Sequence, residues 1–327
     1  MAKEKSQIKK LRQRFVKDYN LPINIFDEKY FEYYRQLYSF FPNDVWKKLV
    51  DAIGEKYNGN VEEWLNYCAQ VRDNAIIGTM DTDEYKKFNT EDMSKWDIDP
   101  EIQKVGEHSI YNEECDGNGF VSIDMKKANF QALKYAGVLK DNTYEEFISK
   151  NGGDEYIANS KYLRQVIFGK MNPGRTIKVE KHIMGEIYKM VRNVFESHFY
   201  DLYSMNSDEI VFKQRTPYDF LTKDEGNKME EEIKNRLGID VRVENIIVKD
   251  LKIVNANGNK VDAYVKKNMF TEEETLKKAS TTFYPQIYKL WKGQDINLLD
   301  KGFFFEDQIA IFTEPLRLRK DENNSDI

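Results

Sequence analysis

The chain predicts an α+β fold: an antiparallel sheet of split βαβ plan, carrying a helical insert and preceded by a helical region. Three observations carry that reading. From Asp27 to about Ala75, apolar and aromatic residues recur at three and four: Tyr30, Phe31, Tyr34, Leu37 and Tyr38, then Trp46, Leu49, Val50 and Ile53, then Trp64, Tyr67 and Val71. That is the period of a buried helix face. Short apolar runs at 119–124, 209–213 and 240–248 alternate with helical stretches, giving strand, helix, helical insert, helix, strand, helix and two strands over 119–254. Pro (7) and Gly (17) are scarce among 327 residues, which favours long helices over a loop-rich all-β fold.

The elements follow in order. Residues 5–17 read as a short basic helix, either a solvated arm or a nucleic-acid contact. Pro42-Asn43-Asp44 and Asn58-Gly59-Asn60 break the helical region. The span 76–118 is acidic and irregular, a connector ending in Asp116-Gly117-Asn118-Gly119. After strand 119–124, a helix is expected over 127–136. Another covers 143–150, with Thr143 as N-cap and Glu146 three residues on. Helix 155–169 follows, and Met171-Asn172-Pro173-Gly174 breaks the chain. Ile183, Ile187, Met190, Val191, Val194, Phe195 and Leu202 then mark one long amphipathic helix over 177–203. Strand 209–213, helix 224–237 and strand 240–248 lead to a hairpin with arms 249–254 and 261–266, turning through Asn255–Asn259. A helix near 272–292 and the stretch Phe303-Phe304-Phe305 close the chain. The expected units are a helical region with its connector (1–118), a sheet unit (119–268, insert about 138–176) and a helical C-terminal region with its tail (269–327).

Composition bounds the function. Apolar residues at 40% and aromatics at 13% provide a sizeable core. Cys68 and Cys115 show no paired spacing, so neither a zinc site nor a disulfide framework is expected, and a reducing, cytoplasmic compartment is the natural setting. No run of 18 apolar residues occurs and the N-terminus does not resemble a signal peptide, so no membrane association is expected. The Lys-, Asn- and Ile-rich usage points to an A/T-rich genome such as a virus or phage. The net charge of −6 is unusual for a nucleic-acid binder. The charge is segregated, however: residues 161–192 hold eight Lys or Arg against two acids, and residues 3–17 hold seven against one. Such a protein can grip phosphates in one groove while its outer surface stays acidic.

Three segments carry chemistry. Phe120-Val121-Ser122-Ile123-Asp124 is an apolar strand ending on a carboxylate. Lys161-Tyr162-Leu163-Arg164-Gln165-Val166-Ile167-Phe168-Gly169 is a basic helix. Asn206-Ser207-Asp208-Glu209-Ile210-Val211-Phe212 sets two acids at the start of another strand. In this order they resemble motifs A, B and C of palm-domain nucleic-acid polymerases, most of all family A DNA polymerases. The span Ser122–Phe130 looks equally like motif A of a reverse transcriptase, and Ser207-Asp208-Glu209 resembles the tRNA-histidine guanylyltransferase palm. The likeness covers about 100 of 327 residues. Asp124 and Asp208 lie 84 positions apart, which implies reduced fingers. Asn129 stands where family A carries a glutamate that excludes the ribose 2′-hydroxyl.

The resemblance implies a compact polymerase that adds nucleotides to a 3′-hydroxyl, with nucleic acid and nucleoside triphosphates as partners. Asp124 and Asp208 would hold two Mg2+ ions (or Mn2+), with the Met125 carbonyl as a further ligand and Glu209 as a third catalytic acid. Lys161, Arg164 and Arg175 would meet the triphosphate, Phe168 would stack on the base, and Asn129 would lie beside the sugar. Lys178, Lys181, Lys266 and Lys267 would touch nucleic-acid phosphates. Two other readings stand beside this one: a template-independent palm nucleotidyltransferase, guanylyltransferase-like or cyclase-like, and a non-enzymatic viral or phage nucleic-acid-binding protein. His108, His182 and His198 lack partners at catalytic or metal spacing.

Overall fold

The computed structural model describes residues 2–38, 44–197, 200–215 and 221–319. The chain opens with five helices: α1 (Ala2–Asp18), α2 (Glu28–Tyr38), α3 (Val45–Tyr57), α4 (Val61–Met80) and α5 (Asp83–Thr90). Local chemistry sets their starts. Asp44, Asn60 and Thr82 each accept main-chain N–H groups from the first turn of α3, α4 and α5. Helix α4 buries Trp64, Cys68, Val71, Ala75 and Thr79, one continuous stripe. Helix α1 is not a solvated arm, although Lys9, Lys10 and Lys17 stay exposed on it. It buries Leu11 and Phe15, and the Phe15 ring lies 5.1 Å from Trp46 and 6.4 Å from Phe31. The connector is also more ordered than its composition suggests: α4 and α5 occupy its first part, a one-turn helix spans Ser94–Trp96, and α6 is Pro100–Gln103.

Strand β1 (Gly119–Met125) starts the sheet, followed by α7 (Ala128–Tyr135), α8 (Tyr144–Lys150), α9 (Glu155–Asn159), α10 (Lys161–Gly169) and α11 (Pro173–Ser197). Then come β2 (Tyr200–Met205), β3 (Glu209–Gln214), α12 (Lys223–Leu237) and β4 (Val241–Asp250). Short strands β5 (Ile253–Val254) and β6 (Lys260–Val261) precede β7 (Tyr264–Asn268) and β8 (Glu274–Lys277). Helix α13 (Tyr284–Trp291) and strands β9 (Gly302–Phe305), β10 (Gln308–Ile311) and β11 (Arg317–Leu318) complete the described chain. The main sheet has the order β2-β3-β1-β4-β7-β8, antiparallel throughout, so the architecture is α+β with β1 central. One apolar core runs from Leu11 to Val243 and crosses the boundary expected near 118. Its sheet side is Val121, Ile123 and Met125 of β1, and its helix side includes Ile183 and Ile187 of α11.

Four boundaries differ from expectation. The 155–169 helix is two helices, because Ser160 takes an extended conformation and its hydroxyl accepts the Leu163 N–H as the N-cap of α10. The 177–203 helix starts at Pro173 and ends at Ser197, and Tyr200–Met205 is a strand whose pairing with β3 overrides the apolar spacing. Ile183, Ile187 and Val191 are buried as expected, but Val194 is 41% exposed. His198 lies outside the described residues. The hairpin is two nested pairs, β4 with β7 and β5 with β6, around the expected Asn255–Asn259 turn. Finally, the 272–292 region is not one helix. Glu274–Lys277 adds β8 to the sheet edge, leaving only Tyr284–Trp291 helical in that region; Leu299–Lys301 is a one-turn helix, and 302–318 is short strands and turns.

Candidate functional site

Register brings the acids together. Asp124, next to last in β1, sits directly opposite Glu209 on β3 and Arg242 on β4. Asp208 lies one residue before β3, in the turn from β2. There Asn206 Oδ1 accepts the N–H of Asp208 (3.0 Å) and of Glu209 (2.7 Å), while the Asp208 carbonyl accepts the Met125 N–H at 2.8 Å. The two aspartates therefore occupy adjacent strand ends. Residues paired across strands share a face, so Ser122, Asp124, Glu209, Arg242 and Glu244 project to one side, away from the core side of Val121 and Ile123.

These groups are tightly coupled. The Ser122 hydroxyl donates to Glu209 Oε1 at 2.5 Å. Arg242 reaches Asp124 Oδ2 at 3.2 Å and Glu244 Oε2 at 3.3 Å. Burial, partly countered by Arg242 and reinforced by Glu209, Asp208 and Glu244, pushes the Asp124 carboxyl up to about 6. Burial also raises Asp208, where the Glu107 charge adds to the rise and Lys161 opposes it. Glu244 is held below the usual range: against its burial, Lys266 (2.6 Å), Arg242 and Asn268 (2.9 Å) all favour its anion.

The expected nucleotide-contacting residues divide. Lys161 opens α10 exposed, and its charge acts on Asp208. Arg164 lies over the Tyr144 ring at 5.8 Å. Asn129 follows β1 and donates its side-chain amide to Glu180 at 2.6 Å. Phe168 is a core residue, 2% exposed and packed among Phe130, Tyr144 and Phe147, because its helix turns that face inward. Arg175 is held against α5, donating to the Glu91 carbonyl and lying over the Phe88 ring at 5.6 Å. Lys178 pairs with Asp97 at 2.5 Å and Lys181 with Glu107 at 3.8 Å. Lys266 is tied to Glu244 beside the acids, and Lys267 pairs with Glu272 at 2.5 Å.

Four residues belong to the site although sequence reasoning passed over them: Lys127, Glu180, Arg242 and Glu244. Lys127 follows β1 in the left-handed conformation (φ 52°), pairs with Glu145 and lies over Tyr144 at 5.4 Å, so it joins Arg164 around that ring. Glu180 is 2% exposed within the α11 stripe of Thr176, Ile183 and Ile187. An acid inside an apolar stripe was the visible signal. Burial and the Asp208 charge raise it to about 7, against hydrogen bonds from Asn129 and Ser207. It thus ties the segment after β1 to the β2–β3 turn. Arg242 and Glu244 gave no signal, because only the register with β1 places them there.

Two raised carboxyls fix the sign of the pH dependence. Asp124 and Glu180 have ordinary values of 3.8 and 4.5 and stand near 6 and 7 in the fold. Between those limits the folded protein binds more protons than the unfolded chain, so stability falls as pH rises. We expect the urea midpoint to drop between about pH 5 and about pH 8, with Glu180→Gln flattening the upper part of the decline. A midpoint that rises over this range would contradict the account.

No protein-family model, curated protein or solved structure matches this chain. Among the described residues, no helix is long and apolar enough to cross a membrane. Nor do three or more His, Cys, Asp or Glu side chains form a ready metal cage there. The candidate donors are instead a pair of carboxylates at adjacent strand ends, Asp124 and Asp208, and burial, with the charges of Glu209, Asp208 and Glu244 adding to it, raises Asp124. A divalent cation that keeps most of its waters and needs few carboxylates fits such a pair, provided Arg242 releases Asp124.

Proposed function

We propose that the protein transfers nucleotides to a 3′-hydroxyl at the end of β1 and β3, as a compact polymerase with nucleic acid and nucleoside triphosphates as substrates. The observation that carries this reading is the placement of Asp124 and Asp208 at adjacent strand ends, with Lys161 acting on Asp208 from α10. Asp124 and Asp208 would hold Mg2+ or Mn2+, which supplies activation of the hydroxyl and neutralisation of the departing pyrophosphate. The chain's own groups do the rest. Asn206 fixes the main chain of Asp208 and Glu209, Ser122 orients Glu209, Lys161 acts on Asp208, and Arg164 and Lys127 gather around the Tyr144 ring. Asn129, held by Glu180, would face the sugar.

Labelled primer–template, Mg2+ and each nucleotide set, incubated with the protein, test the reading; extension of the primer is the expected result. Arg164→Ala should then lower efficiency at limiting nucleotide by about tenfold to a hundredfold, the worth of a lost guanidinium–phosphate contact. Wild-type efficiency in that variant would remove α10 from the nucleotide site. One observation favours a different reading. The Arg242–Asp124 pair is what a structural acid in a non-enzymatic nucleic-acid-binding protein would show. Failure of every nucleotide set, with or without a template, would favour that alternative.

A further inference from the structure

The segment 94–107, α11 and the β2–β3 turn enclose a cavity of about 380 Å3, within the ~300–1,000 Å3 range of small-molecule sites. Its walls are set by main-chain contacts. A side chain added at Gly185 of α11 would meet Ile98 at 3.2 Å, so the segment lies close on the helix. The Gly106 carbonyl accepts the Met205 N–H at 3.0 Å and ties the other end to β2. Arg175, on the same helix, donates to Glu91 before the segment begins.

The lining has two characters. Trp96, Ile98 and Met205 give the lining its apolar residues, with the Lys95 ammonium over the Trp96 ring at 4.8 Å. With them are two ion pairs, Lys178 with Asp97 and Lys181 with Glu107. Among the described residues, the buried Trp96 indole N–H has no hydrogen-bond partner, nor has Nδ1 of His182, whose ring lies 5.2 Å from Trp96.

We propose that this cavity binds a nucleoside monophosphate. The base lies against Trp96 and Ile98, the ribose hydroxyls donate to Asp97 or Glu107, and the phosphate meets Lys178 and Lys181. One ligand of this class meets the aromatic wall, a carboxylate and both ammonium groups together. The Lys178–Asp97 side chains are 38% and 62% exposed, so exchanging a carboxylate for a phosphate partner is a small change. Asn206 also lines the cavity while holding the N–H groups of Asp208 and Glu209. The site goes beyond nucleotidyl transfer and stands whether or not that reading holds.

Titration of the full-length protein with adenosine 5′-monophosphate, followed by calorimetry and tryptophan fluorescence, tests this. The expected result is saturable binding of one ligand per chain. Adenosine should bind at least about tenfold more weakly, and Lys178→Gln with Lys181→Gln should cost a similar factor for the monophosphate. Trp96→Phe should remove most of the fluorescence change. No saturation up to about 10 mM overturns the proposal. So does adenosine binding as tightly as the monophosphate in the wild type, a comparison that needs no variant to fold. Loss of binding in Asp124→Asn, with the lysine variant unaffected, would move the ligand to the acids and also overturn it.

Discussion

Asp208→Asn is expected to lose nucleotide transfer while the protein stays folded and at least as stable as the wild type. Replacing a charged cation ligand by a neutral amide removes several kcal/mol of transition-state stabilisation, about a thousandfold or more in rate. Stability should move the other way. Burial and the Glu107 charge raise the Asp208 carboxyl, so its anion is disfavoured in the fold, and the amide relieves that cost at neutral pH. A capping or ion-paired aspartate would behave oppositely and lose stability. Turnover assays and denaturant titrations on one sample therefore separate the two roles. Unchanged turnover together with reduced stability would make Asp208 a structural residue.

The largest expected stability effect lies far from the acids in sequence, at Asp18. This carboxylate is fully buried and pairs with Arg14 at 2.8 Å. It also accepts hydrogen bonds from Tyr156 at 3.0 Å and from Ser160 at 2.6 Å. Ser160 in turn caps α10 through the Leu163 N–H at 3.0 Å, so Asp18 anchors the helix that carries Lys161 and Arg164 to α1. Asp18→Ala leaves a buried guanidinium and two hydroxyls without their acceptor, and should destabilise by roughly 3–5 kcal/mol. Urea unfolding measures it. A loss under about 1 kcal/mol would show that the network contributes no more than an exposed pair.

What was legible in the sequence follows from the range of the forces involved. Strands β1, β3 and β4 and helix α12 announce themselves within ten or so residues, through apolar runs and caps, and they lie where the pattern put them. Thr143 caps α8 for the same local reason. Tyr200–Met205 read as helix because Leu202 extended the α11 spacing, and only pairing with β3 decides the matter. Residues 274–277 became a strand through β7, a partner that no local pattern names. The site shows the same division. The Asp124 and Asp208 segments were visible as strand ends bearing acids. Arg175, Lys178 and Lys181 looked like free cations, yet their partners Glu91, Asp97 and Glu107 lie more than 70 positions earlier in the chain. Arg242 and Glu244 were silent for that reason too: a charge on a strand declares nothing until register sets its neighbours.

The central claim is that Asp124 and Asp208 act as one cation-holding pair. Titration of the wild-type protein with Mn2+, followed by electron paramagnetic resonance, tests it most directly, with Asp124→Asn and Asp208→Asn run alongside. The account predicts saturable uptake by the wild type, displaced by excess Mg2+ and weakened at least about tenfold in each variant. Uptake that neither substitution changes, or none at all with nucleotide present, would contradict it.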